Sequence, residues 1–391
     1  MWPPVTTETR AWIPNIDPEL LSRRRRASVT GTYEASIVPP IAQTVDWVES
    51  EVMAAADDAS AALVRFDEEV GAITAPFASI LLRSESASSS QIENLTAGAR
   101  AIAEAELGER KSGNAPLIVR NVRAMQAALE LSDEIGDASV IAMQQALLAD
   151  SAPHLTGAYR SEQVWIGRSA LSPHGADFVP PHPDRVPAAM TDLFAFIDRR
   201  EIPVLYQAAI AHAQFETIHP FADGNGRTGR ALVQAMLRRG GLTRHVTVPV
   251  SAGLLSDIDR YFAALTSYRA GRVEDIVDMF ADASIVAIDN GRRLAADIGR
   301  ISTSWHQRLV GIRINASARR LADLALEQPV LNAEVAAERL GVSRPVIYNA
   351  LDTLVERGIF HSANSQKRNR LWIADDVITA LDAFAARVTR R

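Results

Sequence analysis

The sequence predicts an all-α protein that carries one small β-hairpin and ends in a C-terminal module of different character. Three observations carry this. Apolar residues recur three and four apart over most of the 391 residues, the period of a helix with one buried face. Strand-like stretches are few and short. The composition, 47% hydrophobic and 23% charged, is that of a folded globular chain, and the length predicts two or three domains.

Taken in order, residues 1–40 are rich in Pro and Trp and read as an extended N-terminal arm. Residues 41–150 are Ala-rich with helical spacing. A Ser-rich stretch at 84–90 interrupts that spacing and can cap a new helix over about 84–100. At 155–168 the period breaks. Tyr159, Val164, Trp165 and Ile166, beside Gly157 and Gly167, predict a short hairpin. Residues 173–187 form a Pro-rich loop. Helices are predicted over 186–197 and 203–217, then from a glycine-rich turn through residue 239, and again over 256–269 and 273–298. The expected partition is an arm (1–40), a helical region (41–150), a core (151–300) and a C-terminal part (301–391).

Several chemistries are excluded at once. There is no cysteine, so a disulfide scaffold, a thiol nucleophile and a thiolate metal site are impossible. The net charge of −6 excludes a generally basic nucleic-acid coat, though not a local basic patch. Lys111 and Lys367 are the only lysines and neither follows a glycine, which removes the P-loop. The N-terminus lacks the basic start and apolar core of a signal peptide. No uncharged apolar stretch approaches the about 20 residues that span a bilayer, so a cytoplasmic protein with no membrane partner is expected. The run Arg23–Arg26 is read as a solvated helix face.

The densest polar chemistry lies between His219 and Arg230. Gly224 and Gly226 let the backbone approach a ligand closely. Successive N–H groups there can form an anion nest, and the helix that follows points its positive end the same way. Arg227 and Arg230 stand three apart on one helix face and can grip phosphate oxygens. Asp223 is a hard oxygen ligand suited to Mg²⁺ between phosphates. His219 is the side chain suited to proton transfer near neutral pH. Residues 224–229 also spell G-x-G-x-x-G. A dinucleotide fold needs a strand before that pattern and an acidic residue about 20 positions after it. Here a helix precedes it, and residues 231–256 hold no Asp or Glu. The remaining alternative is a tight interhelical turn with surface arginines.

Residues 219–230 resemble the signature of the Fic family, H-x-F-x-[D/E]-G-N-G-R-x-x-R, at every fixed position. The resemblance implies a Fic-type helical domain with a small β-hairpin flap, and transfer of AMP from ATP to a Ser, Thr or Tyr hydroxyl of a target protein. It implies His219 as general base, Asp223 as the Mg²⁺ ligand, and Gly224, Asn225 and Gly226 as the anion hole. Arg227 and Arg230 would bind the outer phosphates, with Phe221 anchoring the loop. Val164, Trp165 and Ile166 would form the flap that clamps the target, and Val179-Pro180-Pro181 also fits the family pattern. Tyr261 and Phe262 are either helix-core aromatics or neighbours of the adenine. The same site with another nucleotide donor, or one that removes AMP, stays open.

Ser89-Ser90-Gln91-Ile92-Glu93-Asn94 matches the family's inhibitory pattern [S/T]-x-x-x-E-[G/N], here upstream of the signature. The resemblance implies that Ser89, Glu93 and Asn94 belong to a brake, with Glu93 paired to Arg230 in the space of the γ-phosphate.

Residues 331–358 read as helix, turn, helix. The turn is at Gly341-Val342, with Ser343 as cap and Pro345 in the first turn of the second helix. A polar, basic stretch follows, and Leu371-Trp372-Ile373 then reads as a returning strand. This resembles a winged helix-turn-helix domain. Residues 315–391 carry +2 against −8 for the rest. Two roles stay open: DNA contact through Arg344, Tyr348, Asn349, Lys367, Arg368 and Arg370, or partner docking and homodimerisation. A DNA-binding transcriptional regulator in which the upstream Fic-type fold senses nucleotide or dimerises is the corresponding alternative function.

Overall fold

The computed structural model describes residues 2–13, 22, 30–44, 50–72, 77–167, 171–314, 316–363 and 370–388. Arg23–Arg26, Lys367 and Arg368 lie outside the described residues. No helix among the described residues is long and apolar enough to cross a membrane. The chain is mostly helical, with two small antiparallel sheets among the described residues, and forms two compact units. The first comprises Met1–Asp57, Gln126–Arg239 and Asp259–Phe280; the second, Asp58–Met125, Gly240–Ile258 and Ala281–Arg391.

In the first unit, the Pro-rich N-terminal stretch does more than extend. Strand β1 (Thr6–Trp12) pairs along its whole length with β2 (Gly31–Ile37), from Thr6 opposite Ile37 to Trp12 opposite Gly31. The 18 residues between them are too many for a hairpin signal, so spacing did not reveal the pair. Trp2 is buried against Phe196 and Tyr268, which docks the N-terminus onto the core. Later in the unit come α5 (Asp137–Leu148), α6 (Val186–Ile197), α7 (Val204–Ile218) and α8 (Asn225–Arg239), then α10 (Ile258–Arg269). Helix α7 is buried from Leu205 to Ile218, as expected of a helix wrapped on all sides. Two of its buried polar side chains find partners within the helix and across the unit. The Thr217 hydroxyl donates to Ala213 O at 2.7 Å, and Gln214 accepts from Tyr268 and donates to Pro39 O.

A hairpin within 155–168 is the expectation; among the described residues Ile166 instead pairs with Phe178 in an isolated antiparallel bridge. Ile166 N donates to Phe178 O at 2.8 Å and Phe178 N to Ile166 O at 3.1 Å. The strand-like signal was real, but its partner lies beyond the loop.

The second unit holds α2 (Phe77–Ile92), α3 (Ala99–Glu106), α9 (Val250–Ser256), most of α1 (Ser50–Gly71), α4 (Asn114–Glu130) and α11 (Glu274–Arg308), and the C-terminal elements. The Ser-rich stretch does not interrupt α2. Ser84 and Ser86 return their hydroxyls to Ile80 O and Leu82 O, one turn back, which removes the competition that normally ejects serine from helices. Asn121 donates to Ser86 O and Ser90 Oγ. Glu85, 1% exposed, accepts from Ser251 N at 2.9 Å and Ser251 Oγ at 2.6 Å, pinning the start of α9 to α2. Buried Asp67 on α1 likewise gathers the backbone N–H groups of Arg244, His245 and Val246, each at 2.8 Å. Helix α11 runs ten residues past its predicted end.

The C-terminal elements run α12 (Ser317–Glu327), β3 (Val330–Asn332), α13 (Ala333–Leu340), α14 (Arg344–Glu356), β4 (His361–Ser362), β5 (Leu371–Ile373) and α15 (Asp375–Val388). The strands order as β3-β5-β4. Asn332 caps α13 by accepting from Val335 N, and Gly341 ends it at φ 66°. Ser343 occupies the N-cap of α14 but makes no side-chain cap bond.

Candidate active site

The turn between α7 and α8 builds the site. His219 ends α7 in the left-handed region, φ 51° and ψ 60°, an uncommon conformation for a residue with a Cβ. Two devices shape the loop that follows. Asn225, 3% exposed, accepts from Phe221 N and donates to Phe221 O, both at 2.8 Å, so its amide staples residues 221–225 into one ring. Phe221 is fully buried against Tyr159 and Phe215. Gly224 stands at φ 84°, and a Cβ there would lie 2.9 Å from Leu147 Cδ2. Helix α8 then opens with Thr228 N bonding Gly224 O at 2.9 Å. The amides of Asn225, Gly226 and Arg227 are therefore its leading N–H groups, at the positive end of the helix. Arg227 and Arg230 are 7% and 2% exposed, cations held in a dry wall rather than waving in solvent.

Asp223 is half-exposed; its Oδ1 accepts from Gly224 N at 2.6 Å and stands 3.6 Å from Arg227 Nη2. Among the described residues no three His, Asp or Glu side chains gather as a metal cluster. A Mg²⁺ ion shared with phosphates needs only one or two protein carboxylates. Asp223 therefore fits a nucleotide-borne Mg²⁺, and the donor set does not fit an all-protein cage.

Two residues that spacing did not single out support this turn. His212, fully buried on α7, shares a hydrogen bond of 2.8 Å with the Tyr261 hydroxyl. Burial, and then the charge of Arg230, push its imidazole down to about 3, so it is neutral at physiological pH. A Cβ at Gly229 would lie 3.2 Å from His212 Nδ1 and 3.0 Å from Phe215 Cδ1, so glycine there lets α8 pack hard against α7. The second is Arg160, 6% exposed. Its guanidinium donates to His219 O at 2.8 Å, Glu162 O at 3.0 Å and Pro181 O at 2.6 Å. Its acceptors are backbone carbonyls up to 59 residues away, which residue-type spacing cannot register.

The other predicted site residues fall as follows. Tyr261 is 1% exposed and stacks on His212, a core position, whereas neighbouring Phe262 is 50% exposed. Val164 and Trp165 are half-buried and Ile166 is 39% exposed. Trp165 meets Trp12 edge-on at 5.4 Å, so β1 lies beside the flap segment. In the second unit, Ser89 is buried in α2. Glu93 is exposed just past the end of that helix. Asn94 takes φ 60°; Asn94 N bonds Gln91 O, and Leu95 N reaches back to Ser90 O. This is a Schellman cap with Asn in the left-handed position, and it gives the physical reason for Gly or Asn after the glutamate. On α14, Tyr348 is 44% exposed and Arg344 pairs with Glu334. The Arg370 guanidinium lies 5.2 Å from the centroid of Trp372.

Comparison with known proteins agrees with this geometry. Residues 135–237 match the model of the Fic/DOC family, and residues 53–130 that of the Fic/DOC family N-terminal region. Protein adenylyltransferase fic-1 of Caenorhabditis elegans is 30% identical over 159 residues, 40% of this chain and 28% of that protein. Protein adenylyltransferase Fic of Nematostella vectensis is 32% identical over 116 residues, 29% of this chain and 25% of that protein. The match thus spans about a quarter of the length of these curated relatives. A crystal structure of a Fic family protein from Desulfovibrio desulfuricans G20 superposes with a TM-score of 0.53 at 22% identity, covering 86% of this chain and 98% of that one, a likeness of fold. Residues 53–237 thus carry two adjoining regions of the Fic/DOC family, with the full signature on the α7–α8 turn.

Proposed function

We propose that this chain is a protein adenylyltransferase that moves AMP from ATP to a Ser, Thr or Tyr hydroxyl of a target protein, with Glu93 as its brake. One observation carries the reading: the left-handed His219 and the leading amides of α8 face one stapled turn, with Arg227 and Arg230 buried in its wall. His219 takes the proton of the target hydroxyl. The oxygen attacks the α-phosphorus, the bond from that phosphorus to the α–β bridging oxygen breaks, and pyrophosphate leaves. The amides of residues 225–227 hold phosphate oxygens, and Arg227 and Arg230 hold the outer phosphates that become the leaving group. Catalysis of this kind is mainly positioning and charge stabilisation. Mg²⁺, held by Asp223 and the nucleotide, supplies charge neutralisation when bound. Val164, Trp165 and Ile166 present a strand-like edge for an extended target segment. Phe262 is the exposed aromatic of the Tyr261–Phe262 pair that fits a place beside the adenine.

In the braked state Glu93 pairs with Arg230 where the γ-phosphate belongs. A coupling of about 1–3 kcal/mol represses about 5–150-fold. Residues 151–300 act as the catalytic core in this reading, 41–150 as the brake-bearing region, 1–40 as the arm and 301–391 as a linker helix and winged helix-turn-helix part. The test is mass spectrometry of Glu93→Gly incubated with ATP. Added AMP on the chain, above the wild-type level, is expected; a variant no more modified than wild type removes the brake.

A second role is proposed for the C-terminal module. Its order of helix, strand, helix, turn, helix and two strands supports a winged helix, and α14 presents Arg344, Tyr348 and Asn349 on its exposed side. These, with Arg370, are the candidate DNA contacts.

A further inference from the structure

The geometry points to Arg160 as the positioning residue of the site, a fork that holds the backbone of His219 and ties it to the segment preceding Ile166. The inference rests on the reading of His219 as the base.

Arg160 sits in the loop before the flap segment, yet it is almost wholly buried. Its Nε donates to His219 O at 2.8 Å, Nη1 to Glu162 O at 3.0 Å and Nη2 to Pro181 O at 2.6 Å, with a longer reach of 3.5 Å to Ile218 O. Its own backbone N donates to Pro220 O at 2.9 Å. One side chain therefore gathers three stretches of chain: the end of α7, residue 162 before the Ile166–Phe178 bridge, and residue 181 after it. Burial draws the guanidinium down to about 10, still charged at neutral pH. A buried cation is costly unless its donors are met. Here carbonyl dipoles meet them, two at the negative end of α7.

This placement matters because of what His219 must do. A non-glycine residue at φ 51° keeps that conformation only where its surroundings over-determine it. The Asn225 staple fixes the chain after His219; Arg160 fixes His219 itself through its carbonyl. The backbone dihedrals of His219 set where its imidazole points, so the fork sets the aim of the base. The same guanidinium holds residues 162 and 181, so a target segment lying along Ile166 loads the element that aims the base. The phosphates are gripped by α8 and its arginines and not by Arg160, so the effect falls on turnover and not on ATP binding. Lysine keeps the charge but offers one compact ammonium in place of a planar fork, and cannot meet carbonyls on several sides.

The test compares Arg160→Lys with its parent, in the wild-type or Glu93→Gly background, whichever self-modifies faster with α-labelled ATP. The expected result is a rate constant lowered by about 100-fold, the scale of a misplaced reacting group. The ATP concentration for half-saturation should stay within about twofold, and calorimetry should give an unchanged ATP affinity. Selective ¹³C-histidine labelling supplies a readout independent of turnover: the His219 imidazole signals shift in Arg160→Lys while those of buried His212 stay in place. Unchanged His219 signals overturn the inference, as does a parent-like rate in Arg160→Lys or a loss confined to ATP affinity. A parent that transfers no AMP overturns the adenylyltransferase reading itself, an outcome distinct from these. Should Arg160→Lys unfold, Arg160→Gln keeps a planar donor at this site, and partial recovery of the rate there supports the fork; a Gln variant that folds with the parent's rate counts against it.

Discussion

The substitution Asn225→Asp tests the staple with almost no change of shape. In the wild type the side-chain amide accepts from Phe221 N and donates to Phe221 O, both at 2.8 Å. The carboxylate keeps the first bond and loses the second. A buried carbonyl left without its donor costs about 1–3 kcal/mol. The two oxygens then face each other at the old bond distance, and about half a charge on each, in an effective dielectric near 20, adds roughly 1.5 kcal/mol. The positive end of α8 returns about 0.3–1 kcal/mol to an acid in its first turn. The net penalty is about 2–4 kcal/mol, a fall of roughly 5–15 °C in melting temperature at about 2–4 °C per kcal/mol. A proton on the new carboxyl restores the lost donor, so its folded-state pKa is raised above the unfolded value. The penalty is therefore absent below that unfolded value, near about 4, and grows as pH rises through the folded one. Scanning calorimetry of both proteins at pH 5 and pH 8 should give a gap that widens with pH. A variant melting within about 2 °C of wild type at pH 8, or a gap that narrows, refutes the staple.

Three other expectations follow from the same turn and from the C-terminal module. His219→Ala should abolish AMP transfer while ATP binding by calorimetry persists; retained transfer removes His219 as base. Gly224→Ala places a Cβ at φ 84° and 2.9 Å from Leu147 Cδ2, so it should destabilise by about 1–2 kcal/mol, read in urea unfolding as a lower midpoint at unchanged slope. Duplex DNA in gel shifts at two salt concentrations should bind more weakly at the higher salt, and Arg344→Ala should weaken it further; no binding at low salt removes DNA as a ligand of the module.

What the sequence revealed divides along a physical line. Helices with one apolar face were legible: α6 begins and ends where periodicity places it, and β5 was read to the residue. The chemistry of 219–230 was legible because the residue types at its eight fixed positions have few structural uses in that order. The continuous α2 was not, because serine reads as a breaker unless its hydroxyl bonds one turn back. The β1–β2 pair and the partner of Ile166 were missed because pairing at long separation leaves no local trace. Arg160 and His212 were missed because their roles depend on backbone carbonyls and a hydroxyl brought near only by folding.

The interleaving of the two units along the chain bears on how the protein is made. The unit that carries His219 needs Tyr261, the partner of His212, and so cannot close until the chain has emerged past residue 280. Residues 58–125 meet their first partners at 240–258 and wait longer for the rest of their unit, which resumes at residue 281. Neither unit can fold from the N-terminus as a finished piece, as domains generally do during synthesis. Pairings of such long separation also slow folding. A fragment cut to residues 135–237 would carry the whole signature yet leave His212 buried without its hydroxyl. Dissection by truncation is therefore a poor route to the activity of this chain, and point substitution in the full chain a better one.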